Sequence, residues 1–488
     1  MTLEEMRLFT LVEELLALPA ETTWVEFKMN NTDGEMIGKR ISALSNVARI
    51  EERPFAYVVW GVEDDTHAVL GTKFEPSSQR QGNHPLDFWL AQRLKPDVAF
   101  SFRSINYLEK RLVVLEVPAA VGAAVEFERQ SYLRIGSATP KLSDHPDRQR
   151  MLWNNLHSHT WESESAKEYL LEDDVLSALN YSSYFDLTKQ RLPDNRTGIF
   201  DKLLAERLIK KDVGSRWSIT NLGAILFAKR LADFRPSMAR KALRLVAYDG
   251  SGRADAVDRR FDGEKGYAED FKDLIKYTDG LIPRNEYIGK ALRAEQPLYP
   301  AIALRELIAN ALIHQDMTVP GAGPMIEVFK DRIEVSNPGK PLVAPNRFLD
   351  FPPRSRNEAL ASLMRRMGFC EEQGSGIDKV LAAVELHQLP PPDFRTAGDS
   401  VLAILYAPRL FSEMTRAERV RACYQHASLK YVTAQKMTNS TLRERLAIDP
   451  QNAAQASGVI KQALAEGLIV VDDPSHPRAG YVPFWAKT

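Results

Sequence analysis

Arg305-Glu306-Leu307-Ile308-Ala309-Asn310-Ala311-Leu312-Ile313-His314-Gln315-Asp316 is the stretch whose reading decides the fold of the second half of the chain. Glu306 and Asn310 stand four residues apart, so on a helix they project from one face. Leu307, Ala311 and Leu312 can then turn towards a core. A carboxylate and a carboxamide on one ridge can orient a water and hold Mg²⁺, which takes hard oxygen ligands and shared phosphate oxygens. Taken alone, the pair reads equally as a polar helix face with a capping role.

The sequence that follows narrows the choice. In IEVFKDRIEVSNPGKPL two β-rich runs, 325–329 and 332–335, flank Lys330-Asp331, which predicts a hairpin ending at Asn337-Pro338-Gly339. Further on, Gly374-Ser375-Gly376 stands immediately ahead of a predicted helix. Glycines there let backbone N–H groups approach a phosphate, whose charge the helix amino terminus favours. A Gly-Ser-Gly is also an ordinary helix-entry turn, so the order of the three elements carries the argument.

That order resembles the GHKL ATPases (gyrase, histidine kinases, MutL), and within them the subgroup known as RecG-like carboxyl-terminal ATP-binding domains. The matching residues are RELIANALIHQD, DRIEVSNPG and EEQGSGI. The resemblance implies a Bergerat α/β sandwich that binds ATP with Mg²⁺. Glu306 would activate the attacking water and Asn310 would ligate Mg²⁺. The Asn337–Gly339 turn would lie by the adenine, and Gly374, Ser375 and Gly376 would face the phosphates. Family members usually offer an Asp to the adenine amino group where this chain has Asn337. Arg354, Arg356 and Asn357 fall in what would be the lid, either reaching the phosphates or lying in a solvated loop.

The amino-terminal part carries an acidic pattern. In AETTWVEFK, Glu21 and Glu26 flank a turn into a strand with Lys28 following, and the strand ending at Trp60 delivers Glu63-Asp64-Asp65. Carboxylates and a lysine can bind a divalent ion beside a phosphodiester. Acids scattered on a surface are as often merely solubilising. Together with the helix ISALSN and the later strand YLRIGS, the pattern is similar to the Schlafen-type, or AlbA-type, nucleic-acid domain. In Schlafen nucleases two glutamates at this spacing and a downstream aspartate form a catalytic trio. Mapped here these are Glu21, Glu26 and Asp64, with Glu63 as the alternative third acid and Lys28 beside them; Mg²⁺ or Mn²⁺ would bind there. Many relatives carry a Gly-Gly turn where this chain reads ARIEERP. Tyr132 and Arg134 are expected on one face of a strand, with Lys141 following, where an aromatic and a guanidinium can stack on a base and meet phosphate. A plain edge strand would look the same.

At the carboxyl end, MTNSTLRERLAID reads as a capped helix, and Asn452 with Gln455 three residues on caps a second. VVDDPSHPRAGYVPFW would form a wing. The plan resembles a winged helix-turn-helix, with Gln455 and Lys461 outward on the reader helix; binding to DNA and contact with a partner protein both remain open.

At 488 residues the chain is too long for one core. The expected plan is multidomain α/β (α+β): 1–150 the Schlafen-like domain, 151–190 a helical linker, 191–289 a winged-helix-like connector and α/β stretch, 290–410 the ATP-binding domain and 415–488 the winged helix. IFDKLLAERLIKKD is read as one helix broken at Gly214. A net charge of -1 gives no global pull towards nucleic acid. Two cysteines, Cys370 and Cys423, exclude a disulfide framework and a cysteine-rich zinc site. MTLEEMRLFTLVEELLALPAE lacks the basic start of a signal peptide and no apolar run suits a bilayer, so a soluble cytoplasmic protein is expected. There is no GxxxxGK(S/T) P-loop. The leading expectation is an ATP-regulated, metal-dependent nuclease acting on RNA or single-stranded DNA in defence or stress response, and forming a homo-oligomer. The alternative is an ATP-sensing, DNA-binding transcriptional regulator.

Overall fold

The computed structural model describes residues 2–19, 21–30, 32–158, 160–282, 284–288, 293–351, 354–370, 376–476 and 480–487. These divide into two units, one of residues 1–163, 168–171 and 211–218, the other of 164–167, 172–210 and 219–488.

In the first unit, α1 (Leu3–Leu16), β1 (Val25–Lys28), α2 (Gly34–Ile50), β2 (Phe55–Trp60), β3 (Ser101–Tyr107) and β4 (Lys110–Pro118) build a four-stranded sheet of order β1-β2-β4-β3. β1 lies parallel to β2, with Glu26 opposite Val58 and Lys28 opposite Trp60. The run FAYVVW is apolar throughout because both faces of β2 are covered. Ala56, Val58 and Trp60 join Ile37, Ile41 and Leu44 of α2 in one core. Tyr57 and Val59 join Leu8, Leu11, Val12 and Leu15 of α1 in the other. Alternation along a strand thus sorts successive residues into two layers.

Helix α2 opens on Asp33, whose carboxylate accepts the Met36 N–H at 2.8 Å. Its motif ISALSN buries polar groups for a structural reason. The Ser42 hydroxyl donates to Val125 O at 2.7 Å and Ser45 to Pro118 O at 2.7 Å. Asn46 exchanges bonds with Val125 and donates to Tyr132 O at 2.9 Å. Ser42 and Asn46 thus satisfy backbone groups of an irregular segment, and Ser45 those at the end of β4. Accordingly the expected strand at 132–135 is not a regular strand. Tyr132 and Ile135 make only isolated bridges, to Lys141 and Ala138.

In the second unit α3 (Arg196–Ala205) ends well before Gly214. Glu206 caps it and Arg207 turns left-handed (φ 59°), so the expected long helix gives way to a strand at Ile209–Lys211. Beyond α4 (Asn221–Phe227) come β5 (Arg244–Tyr248), β6 (Val257–Asp262), α5 (Tyr267–Leu281), α6 (Ala301–His314), β7 (Met325–Val328), β8 (Arg332–Pro338), α7 (Glu358–Arg366), α8 (Gly376–Leu386), β9 (Asp393–Ala397) and β10 (Ser400–Tyr406). One six-stranded sheet of order β6-β5-β7-β8-β10-β9 includes strands on both sides of residue 290. Ile326, Ile333 and Val335 are buried on the face that α6 covers.

The carboxyl-terminal part holds α9 (Arg416–Val432), α10 (Asn439–Arg445), α11 (Ala453–Ala465) and the antiparallel pair β11 (Ile469–Val471) and β12 (Tyr481–Pro483). Thr438 caps α10, whereas Asn452 stands at the start of α11 without a side-chain cap bond. Glu385, near the end of α8, meets His426 Nδ1 of α9 at 2.9 Å and Arg445 Nε of α10 at 3.4 Å. Among the described residues no helix is long and apolar enough to cross a membrane.

Gly38 of α2 has no room for a side chain: a Cβ there would overlap the Phe127 ring. Gly38→Ala is expected to cost about 1–3 kcal/mol of stability by overpacking, read as a lower urea midpoint with unchanged slope.

Candidate functional site

Helix α6 presents Glu306 almost fully buried and Asn310 half-buried on one ridge. The Glu306 carboxylate lies directly against Gly376, the first residue of α8. A methyl on Gly376 would overlap Glu306 Oε1 and come within 2.7 Å of Cδ. The acid read from the opening motif and the last glycine of Gly-Ser-Gly are therefore brought together; Gly374 and Ser375 lie outside the described residues.

The end of α6 is tied to the end of β8. The Asp316 N–H donates to Pro338 O at 2.7 Å, and Gly339 packs with its Cα against Asp316, where a Cβ would be 2.7 Å from the Asp316 Cβ. At φ 106° Gly339 also takes a backbone shape that other residues avoid. Asn337 corrects the sequence reading. It sits not in a turn but inside β8, opposite Val401, because the strand runs on through Pro338. Its side chain is buried on the same face as Ile333 and Val335, with Nδ2 donating to Pro338 O at 3.3 Å.

The expected lid residues are also partly re-placed. Asn357 is buried and donates to Ile313 O at 2.8 Å and Gln315 O at 2.9 Å, closing the carbonyl end of α6. Arg356 bonds Asp316 Oδ2 at 2.7 Å and Lys340 O at 2.8 Å, while Arg354 is exposed. Burial alone would push the Asp316 carboxyl up, but the Thr318 N–H and hydroxyl together with Arg356 hold it below its ordinary range. Burial, reinforced by the Arg356 charge, pushes His314 down to about 4, so it is neutral at pH 7.

In the first unit Glu21, Glu26, Asp64 and Lys28 come together. Lys28 Nζ lies 3.8 Å from Glu21 Oε1, 3.4 Å from Glu26 Oε1 and in contact with Asp64 Oδ2. Asp64 rather than Glu63 completes the set; Glu63 instead accepts from the Thr66 hydroxyl. Arg134 was expected on an exposed face beside a base. Only 2% of it is exposed, and it pairs with Glu21 at 2.7 Å and with Glu26. The buried Glu26 and the half-buried Glu21 require such a partner. Arg40 of α2, not singled out in the sequence, meets Glu26 Oε1 at 3.0 Å; its signal was a basic residue heading an otherwise apolar helix face. Beside the cluster opens a groove of about 620 Å³ lined by Lys39, Arg40, Tyr132, Thr139 and Lys141. Tyr132 and Lys141 therefore do share a surface. On α11, Gln455 and Lys461 are exposed, as expected.

Asn310 offers an amide oxygen beside Glu306, which suits an ion carried mainly by nucleotide phosphates. The amino-terminal set does not suit a resident divalent ion as arranged, since Lys28 stands among its acids. Among the described residues no three His, Cys, Asp or Glu side chains gather as an ion-holding group.

Residues 21–143 match the family model described as "Schlafen, AlbA_2". Residues 321–405 match the one described as "Putative ATP-dependent DNA helicase recG C-terminal". The chain is a fusion of these two domains. The Schlafen match contains the whole Glu21–Glu26–Asp64 cluster. The RecG-type match contains Asn337, Gly339 and Gly376, while Glu306 and Asn310 lie just upstream of it. No curated protein matches. The crystal structure of the DIP2311 protein from Corynebacterium diphtheriae is similar over 99% of this chain and 97% of its own, with 18% identity and a TM-score of 0.43.

Gly376→Ala should displace the Glu306 carboxylate and abolish the rise in melting temperature on adding ATP and Mg²⁺, while the melt without nucleotide stays cooperative. His314 adds a pH signature. Its folded pKa lies below the unfolded value of 6.5, so the unfolded state binds more protons between those values. Its contribution is complete above pH 6.5 and is lost as pH falls towards 4, and His314→Gln should remove that slope from urea midpoints measured across the window.

Proposed function

We propose that this fusion is an ATP-responsive nucleic-acid-binding protein, in which the RecG-type domain holds ATP and the Schlafen-type domain holds RNA or single-stranded DNA. The contact of Glu306 with Gly376 carries the reading. It sets an acid against the start of a helix, where backbone N–H groups favour phosphate. Asn310, one turn on, is positioned to offer an oxygen to the ion that accompanies the nucleotide; Mg²⁺, when bound, neutralises phosphate charge. Glu306 would orient water at the terminal phosphate, and Asn337 would meet the base from the strand face it shares with Val335. In the first unit, Lys39 and Lys141 on the groove rim would meet phosphates and Tyr132 would stack on a base.

A second reading, phosphodiester cleavage by the amino-terminal cluster, is favoured by the convergence of Glu21, Glu26 and Asp64 on one point. Under it, Lys28 would hold the scissile phosphate while one acid takes the proton of the attacking water and another returns a proton to the leaving oxygen as its bond to phosphorus breaks. Exposed Gln455 and Lys461 would give α11 a DNA- or partner-facing surface, as in a winged helix.

The test is anisotropy of labelled RNA and single-stranded DNA, with and without ATP and Mg²⁺. ATP should change affinity, and Asn310→Ala should erase that change while leaving binding without nucleotide intact. Lys39→Ala and Lys141→Ala should each lower the salt slope of binding by about one unit, as loss of one phosphate contact does. Binding that ignores ATP in the wild-type chain would sink the reading. Cleavage is scored alongside on gels, and activity surviving in both Glu26→Ala and Asp64→Ala would remove the second reading.

A further inference from the structure

The acidic cluster already contains its own cation. Lys28 Nζ lies within 4 Å of all three carboxylates and donates to Phe27 O at 2.7 Å, with 17% of the side chain exposed. The glutamate oxygens are otherwise engaged. Glu21 Oε1 accepts the Phe27 N–H at 2.7 Å, and Glu21 Oε2 accepts from Arg134 at 2.7 Å. Glu26 Oε1 faces Arg40 at 3.0 Å and Glu26 Oε2 pairs with Arg134. Three carboxylates thus face three cations, Lys28, Arg40 and Arg134, and the set sums to zero. Asp64, 42% exposed, is the one acid that opens to solvent, and its partner is Lys28.

We infer that Lys28 is a tethered counter-ion that keeps divalent metal out of this cluster. Its ammonium occupies the point on which Glu21, Glu26 and Asp64 converge. A second cation entering there must expel it or endure like-charge repulsion a few ångströms away in a poorly solvated site. Replacing Lys28 by an uncharged side chain leaves three carboxylates facing two guanidiniums, with Asp64 and the Glu21–Glu26 edge open to an ion. The inference goes beyond the reading above, because it concerns what the cluster holds before any nucleic acid or nucleotide arrives.

The experiment is Mn²⁺ titration of the nucleotide-free, full-length chain, followed by electron paramagnetic resonance of free Mn²⁺. Circular dichroism melts verify folding of each variant. The wild type and Lys28→Arg should bind no ion that Asp64→Asn removes. Lys28→Met should gain a single ion about 100-fold more tightly held, the order expected for removing one adjacent like charge, and Lys28→Met/Asp64→Asn should lose it again. A wild-type ion that disappears with Asp64→Asn overturns the inference whether or not Lys28→Met folds. So does a folded Lys28→Met chain that binds no better than wild type.

Discussion

Burying Glu26 beneath α2 is the constraint around which the amino-terminal unit is arranged. With 3% of its surface exposed, the carboxylate cannot rely on water, so positive charge must be brought to it from several elements. Arg40 comes from α2 itself, Lys28 from the same strand, and Arg134 from a segment with no regular structure. That last contribution explains the polar residues inside α2. Ser42 and Asn46 hold the irregular segment in place, so that the Arg134 guanidinium reaches two glutamates, while Ser45 ties α2 to the end of β4. A row of small polar groups on a buried helix face is thus a scaffold for a distant ion pair.

The second unit solves a different problem with similar means. Helix α6 ends where β8 ends, and its last carbonyls need donors. Asn357 supplies them from just ahead of α7, and Arg356 joins Asp316 to the backbone of Lys340. The end of α6 is therefore closed by Arg356 and Asn357, which reach it from a stretch about forty residues downstream. His314, neutral at pH 7, completes that corner without adding charge beside Arg356.

Much of this was legible in the chain itself, where period and chemistry agree. The α6 ridge and the hairpin of β7 and β8 follow from spacing, whereas the grouping of Glu21, Glu26 and Asp64 came from the resemblance to Schlafen-type domains. What was hidden depended on long-range pairing. Nothing local reveals that Arg134 turns inward, because its partners lie more than a hundred residues upstream. Tyr-Leu-Arg-Ile has a strand's alternation, yet α2 satisfies its backbone in place of a neighbouring strand. Asn337 was assigned to a turn because Asn-Pro-Gly is turn chemistry; pairing with β10 carried the strand through it. The early end of α3 came from Arg207 taking a left-handed conformation, which an arginine seldom signals.

Helix α8 is engaged at both of its ends. At Gly376 it has no side chain and presses on Glu306; at Glu385 it is gripped by His426 and Arg445. Eleven residues of unbroken helix make a strut about 16 Å long at 1.5 Å per residue. A strut transmits push and twist alike, without the slack of a loop. The Gly376 end of α8 and the foot of the carboxyl-terminal helices are therefore joined by one rigid element.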